Sequence, residues 1–317
     1  MIELLKEKLS KFPMIVIWGY RDSFHSHKFI HEAYFKLFSE MGLNVYWVDN
    51  IYENNNFILK NSLIMIPDVH LVKSDGEVKH VFSQDFYYIL HPGDFLSPEQ
   101  IESIDFSKVV KLYEYRSAYK SKISEDKSIE KDPFVWLDYD SRTVLQPWGT
   151  NLEADDFLSP VFNEYSKDIY FVGSVWGDDD GVKHGNKKII ENLDKSISSR
   201  DMRLIIKNKV TIQENIDFVR FGRFSVSPGA IGHNKYEYLQ CRTFKNISYG
   251  QLVITDVLPF KKILGNSFVD FSCWDEAIDK VLSLSKSDYT GMVLSQQSHI
   301  KRYTYKNMWM NMIGFFD

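Results

Sequence analysis

Residues 14–49, MIVIWGYRDSFHSHKFIHEAYFKLFSEMGLNVYWVD, decide the fold class. Met14-Ile-Val-Ile-Trp-Gly-Tyr20 is a short apolar run closed by Gly19, which suits a parallel strand buried on both faces. A polar loop, Arg21 to His27, follows. From Lys28 to Met41 the spacing puts Ile30, Ala33, Tyr34, Leu37 and Phe38 on one helical face, and Gly42 suits the C-cap. Asn44-Val-Tyr-Trp-Val-Asp49 then reads as a second strand. Strand, helix and strand of this size make one right-handed crossover unit.

The same theme continues outward. Ser62–Ile66, Phe86–Leu90, Val109–Tyr113 and Phe134–Leu137 are short apolar runs that read as strands, whereas Ser121–Asp132 is polar and reads as an exposed loop or short helix. Pro13 ends an amphipathic opening helix. Turn residues at Gln146-Pro-Trp-Gly-Thr150 and a mixed acidic stretch to Lys167 mark a boundary. The pattern restarts at Asp168-Ile-Tyr-Phe-Val-Gly-Ser174, followed by a glycine-containing loop and a helix over about 187–198. Met202–Ile206, Phe224–Ser227, Leu252–Thr255 and Phe268–Phe271 read as strands. Arg242–Tyr249, Asp275–Ser285 and the aromatic tail Ser298–Phe316 read as helices.

The expected architecture is therefore α/β, with two Rossmann-like doubly wound domains facing a central cleft. Residues 1–155 would form an amino-terminal Rossmann-like domain and 156–297 a carboxyl-terminal one. Residues 298–317 would form a last helix packing back on the first domain. Ligands of such sheets bind beyond the carboxyl ends of the strands, so the residues just after strands are those to weigh.

Composition narrows the field. The chain has 317 residues, 44% hydrophobic and 15% aromatic, enough apolar side chain to exclude disorder as its main state. A formal charge of −5 provides no general basic field for nucleic acid, which is disfavoured as a partner though a local basic groove is not excluded. Two cysteines, Cys241 and Cys273, cannot make a disulfide scaffold and fit a reducing, cytoplasmic setting. No run approaches the ~20 apolar residues that span a bilayer, and the start has no signal-peptide core.

Three post-strand clusters carry chemistry. Asp22, His25 and His27 follow the first strand, and an imidazole within reach of a carboxylate is a suitable general base near neutral pH. The bland alternative is a loop held by Asp and Ser hydrogen bonds, with one histidine packed on an aromatic. His25, His27 and His31 could ligate a metal by count, but no His-Glu-x-x-His or CxxC pattern supports it, and no metal or other cofactor is expected. Gly173-Ser174 follows the restarted strand, where a glycine lets backbone N–H groups approach a phosphate; an ordinary tight turn explains it equally well. Neither GxGxxG nor GxxxxGK[ST] is present.

The third cluster, from Gly229 to Gly250, is the most specific. A glycine-containing loop enters a helix whose first turns carry Arg242 and Lys245. Basic groups at a helix start oppose the helix dipole, which makes sense if an anion sits between them and the backbone N–H groups. A diphosphate fits: arginine can grip it bidentately and lysine adds charge. The bland alternative pairs these cations with Glu237 or Asp256. Lys207, at the end of its strand, is a further cation, and Asn246 and Tyr249 would line the pocket.

Tyr170-Phe-Val-Gly-Ser174, Arg242-Thr-Phe244, Tyr249-Gly250 and Val253-Ile-Thr-Asp256 resemble the carboxyl-terminal half of GT-B glycosyltransferases. They are closest to the CgeB-like group, classed with glycosyltransferase family 1-type domains. The resemblance covers roughly residues 168–290. It implies a nucleotide-sugar donor in the second domain and an acceptor in the first, a saccharide by default. It also implies transfer of a hexosyl or pentosyl unit. Many retaining members carry a spaced pair of glutamates, the second gripping the nucleotide ribose; here Glu237 is followed by Lys245, which cannot accept hydrogen bonds from hydroxyls. Three other readings keep the same residues: a nucleotide-sugar epimerase or hydrolase, a non-catalytic nucleotide-sugar-binding protein, and a transferase acting on modified DNA bases.

Overall fold

In a computed structural model the chain is described over residues 2–21, 26–48, 57–66, 82–91, 98–124, 128–177 and 185–317. It divides into two compact units, one of residues 1–147 with 305–317, the other of residues 148–304.

The first unit opens with α1 (Ile2–Leu9) and β1 (Ile15–Trp18), then α2 (Ser26–Glu40) and β2 (Val45–Val48). β3 (Leu63–Ile66), β4 (Tyr87–Leu90), α3 (Pro98–Glu102) and β5 (Val109–Glu114) follow, and then β6 (Ser128–Asp132), β7 (Val135–Asp138) and β8 (Thr143–Gln146). One eight-stranded sheet runs β2-β1-β3-β4-β5-β8-β7-β6. Every pair from β2 to β8 is parallel, while β7 and β6 add an antiparallel edge. The first five strands have the doubly wound order 2-1-3-4-5, whose direction reverses between β1 and β3. All four residues of β1 and of β3 are buried, as expected of strands covered on both faces. Each fully buried aliphatic side chain here contributes roughly 1.5–3 kcal/mol. On α2 the buried side chains are Ile30, Tyr34 and Phe38, joined by His31.

The second unit repeats the theme with β9 (Asp168–Val172), α4 (Lys187–Ser198), β10 (Arg203–Lys207), α5 (Ile212–Phe221), β11 (Ser225–Val226), α6 (Cys241–Ser248) and β12 (Val253–Ile254). The helices α7 (Pro259–Leu264), α8 (Trp274–Leu282) and α9 (Lys286–Ile300) complete it. β9 pairs with β10 and β11 with β12, both parallel. Arg223 N–H donates to Asp168 O (2.9 Å), joining the two pairs at their amino ends. The core packs Ile169, Phe171, Phe224, Val226, Leu252 and Ile254 of the strands against Leu193, Ile197, Ala277, Ile278 and Val293 of the helices. α5 starts on a capping box between Thr211 and Glu214.

Several segments depart from expectation. Residues 128–132 form the edge strand β6 rather than a loop; its Ile129, Glu130 and Lys131 are exposed, and charge is what an edge strand tolerates. Residues 268–271 form no strand, because Phe268 and Val269 are buried from an irregular segment after the turn at Gly265. The tail is not one helix. α9 stops at Ile300, the chain extends so that Tyr303 O accepts from Thr150 N–H (2.9 Å), and α10 (Tyr305–Ile313) begins afterwards. Gly149 permits that pairing: a Cβ there would stand 2.3 Å from Tyr303 O. α10 packs in the first unit, with Trp309 edge-on to Tyr34 and Phe38. The strand β8 and the helices α3, α5, α7 and α9 are further elements that the sequence pattern does not mark.

Candidate functional site

The carboxyl ends of the second unit's strands gather the chemistry. β9 runs into Gly173-Ser174, β11 into Ser227-Pro228-Gly229, and β12 into Thr255-Asp256. Asn186, before α4, ties down the loop after β9: its Nδ2 donates to Ser174 O (3.0 Å) and its Oδ1 accepts from Trp176 N–H (3.0 Å). Ile231 N–H donates to Gly185 O (3.1 Å), linking the loops that follow β9 and β11.

Arg242 lies at the centre. It sits in the first turn of α6, and its guanidinium stacks on the Phe171 ring with Cζ 4.1 Å from the centroid. A Cβ on Gly173 would fall 2.5 Å from Nη2 and 3.0 Å from Cζ, so this contact needs a glycine there. The residue as a whole is half-buried, yet Nη1 is shut off from solvent and has no hydrogen-bond partner. Among the described residues no carboxylate pairs with it. Burial pushes its pKa down to about 10, with Cys241 and Tyr238 opposing the shift weakly. A charged donor left unsatisfied in this way is costly unless an anion completes it.

The helix start adds donors. No side chain caps α6; Gln240, at the N-cap, instead sends Nε2 to Ser227 O (2.7 Å) and Ser227 Oγ (2.6 Å). Thr243 N–H turns back to Gln240 O (3.3 Å), which leaves the N–H groups of Cys241 and Arg242 and the helix dipole to negative charge beside Arg242. Cys241 opens this helix, and both it and Cys273 are free thiols.

The other residues expected in the site distribute differently. Gly173 is in contact range of Arg242, and its N–H donates to Lys207 O (2.8 Å), so Lys207 is adjacent along β10. Lys207 Nζ sits 5.0 Å over the Phe218 ring. Ser174 is exposed. α6 begins at Cys241, which puts Lys245 in the last turn rather than the first, and its side chain is buried. Asn246 is buried with Nδ2 on Ser225 Oγ (2.6 Å), and Tyr249 is buried with its hydroxyl on Asn151 Oδ1 (2.6 Å). Both side chains are therefore engaged in holding the unit together. Glu237 is ion-paired with Lys262 (2.9 Å).

In the first unit, Asp22 and His25 lie outside the described residues. His27 belongs to a group that sequence spacing does not reveal. Its ring is 6.1 Å from His31, 6.0 Å from His91 and 5.5 Å from Tyr20. His31 Nδ1 is 2.9 Å from Gly19 O, to which Trp47 Nε1 also donates (2.9 Å). Gly19 follows β1 and His91 follows β4, so this aromatic group stands beside the point where strand order reverses. Among the described residues no group of three or more His, Cys, Asp or Glu has an arrangement that could hold a metal ion. No described helix is long and apolar enough to cross a membrane.

No protein-family model matches the chain, and no curated protein matches it. Among solved structures it is similar to the DNA-modifying enzyme β-glucosyltransferase, solved in the presence and absence of its substrate uridine diphosphoglucose. The two are 14% identical over 93% of this chain and 97% of that chain, with a TM-score of 0.49. It is also similar to the apo structure of OtsA, at 10% identity over 93% and 97% of the two chains and a TM-score of 0.48. An α1,3-fucosyltransferase with GDP shares 13% identity over 98% of this chain and 94% of that one, with a TM-score of 0.41.

Proposed function

We propose that this chain is a glycosyltransferase of GT-B type, related to the CgeB-like group, moving a sugar from a nucleoside diphosphate donor to a hydroxyl acceptor, by default a saccharide. The observation that carries the reading is Arg242: a guanidinium held against Phe171 and Gly173 at an uncapped helix start, with a buried Nη1 that has no partner. Such a notch is complementary to a diphosphate, and the charge of that group grows as the anomeric C–O bond to phosphate breaks. Donors already in place where charge develops lower the barrier without reorganisation. In this reading Arg242, the N–H groups at the start of α6 and the amide of Ser174 stabilise the leaving diphosphate without a metal ion, Gly173 leaves the space that Arg242 fills, and Lys207 adds positive field.

The acceptor oxygen forms the new bond to the anomeric carbon and gives its proton to a base. Asp22, His25 and His27 in the loop after β1 are the candidates if configuration is inverted, and a donor phosphate oxygen takes the proton if it is retained. The first unit would hold the acceptor. There the half-buried His27 stands against the buried rings of Tyr20, His31 and His91. The two free cysteines favour work in a reducing, cytoplasmic setting.

A thermal-shift screen against nucleoside diphosphates and nucleotide sugars tests the reading. A ligand that binds only the native state adds about 2.7 kcal/mol of stability at a hundred times its Kd. At least one nucleoside diphosphate is expected to raise Tm, and the matching sugar nucleotide to be turned over with an acceptor. If no such compound shifts Tm at millimolar concentration, the reading is wrong.

A further inference from the structure

The residue that opens α6 is a glutamine whose side chain turns away from the helix. Ser, Thr, Asp and Asn are preferred at an N-cap, because a short oxygen-bearing side chain folds back onto the N–H of the second or third helical residue. Gln240 makes no such bond, although its backbone has the extended N-cap conformation, φ −69° and ψ 134°. One methylene longer than asparagine, it reaches instead to the end of β11. There Nε2 donates to Ser227 O (2.7 Å) and Ser227 Oγ (2.6 Å).

That grip is buried. Gln240 is 6% exposed, and Ser227, Thr243 and Thr255 are buried with it. Ser227 O also accepts from Thr255 Oγ1 (2.8 Å), and the Ser227 hydroxyl is 2.8 Å from Thr243 Oγ1. The ends of β11 and β12 and the first turn of α6 thus share one hydrogen-bonded frame, which fixes the glutamine amide. With the side chain spent there, the Gln240 carbonyl takes Thr243 N–H (3.3 Å), and the N–H groups of Cys241 and Arg242 have no partner among the described residues. Arg242 Nη1 is likewise closed off and without a partner. Three donors from two adjacent residues are left over.

We propose that Gln240 is a positioning residue that keeps the start of α6 open, so that its N–H groups bind the donor's diphosphate and not a side chain of the protein. A capping residue would compete with the ligand for those donors; a glutamine anchored on Ser227 does not, and the helix dipole then acts on the ligand. This rests on the donor reading above and says how the chain keeps that helix start from capping itself.

The test titrates the full chain, Gln240→Asn and Gln240→Met with inorganic pyrophosphate, UDP and GDP by calorimetry, and records the ligand-free Tm of each. Both variants lose the bonds to Ser227, but asparagine caps a helix and methionine does not. Gln240→Asn is expected to bind a diphosphate about tenfold more weakly than the wild type, the scale of one hydrogen bond to a charged group, while melting above Gln240→Met. Gln240→Met is expected to stay within about threefold of the wild type. Stability and affinity then run in opposite orders across the pair, which a glutamine that merely holds the fold together does not produce. Gln240→Ser, which caps through its hydroxyl, repeats the first arm if the asparagine variant does not fold. A folded capping variant that binds as tightly as the wild type overturns the proposal, as does an equal loss in Gln240→Met. In either case, binding by the wild type leaves the Arg242 notch standing. Failure of the wild type to bind any of the three probes overturns the notch and the Gln240 assignment together.

Discussion

Arg242 and Arg223 are the same side chain in nearly the same packing, at opposite ends of β11. Arg223 leads into the strand and has its Cζ 4.6 Å from the Phe162 ring centroid; Arg242 follows the strand and stacks on Phe171 at 4.1 Å. Each buries an Nη1 with no hydrogen-bond partner. Their surroundings differ. Arg223 is 8% exposed, and side chains close the backbone around it: Gln251 Nε2 and Asn163 Nδ2 donate to Gly222 O, and the Tyr289 hydroxyl reaches Arg223 O (3.2 Å). Arg242 instead meets a glycine, an uncapped helix start and partial exposure. A lone guanidinium is therefore not a site. A glycine contact and an uncapped helix start beside it are what set Arg242 apart.

Several substitutions separate the two arginines. Arg242→Ala should weaken nucleoside diphosphate binding by about 100-fold, the worth of two charge-assisted hydrogen bonds, measured by calorimetry. Its ligand-free Tm should not fall, because an unsatisfied buried charge is removed. Gly173→Ala comes next. The new methyl would displace Nη2 and Cζ, and an affinity loss of about tenfold is expected from a protein that still folds. A preserved affinity would show that the Arg242 position is not what binds.

Raising the pH gives a third contrast. Burial pushes the Arg242 pKa down to about 10, below its ordinary value, so between the two the unfolded chain binds more protons. The destabilisation due to this group is thus fully present below pH 10 and is relieved as pH rises through the window. Diphosphate affinity should run the opposite way, flat below pH 9 and falling through about pH 10. The smallest effect is expected of Arg223→Met: affinity unchanged within about twofold, with any consequence confined to Tm.

Local rules made much of the fold legible. β1, α2 and β2 follow from a buried apolar run, a helical stripe and a terminating Gly42, which adopts φ 73°. What stayed hidden depends on distant partners. β6 is a strand because β7 lies beside it, although its own charges suggest a loop. The tail breaks at 301–304 because Thr150 pairs with Tyr303. The same holds for the site. Arg242 stood out as a basic residue at a helix start, but its contact with Phe171 bridges residues far apart in sequence. Lys245 lies three positions on from Arg242 as the sequence suggests, but its side chain is buried. His31 and His91 join His27 through the sheet, so no spacing rule would have grouped them.

The most direct measurement is a crystal structure with a nucleoside diphosphate bound, UDP and GDP being the first to try. Phosphoryl oxygens should lie within hydrogen-bond distance of Arg242 Nη1 and of the first N–H groups of α6, with the guanidinium still flat on Phe171. A ligand bound elsewhere, with that nitrogen left bare, would contradict the account.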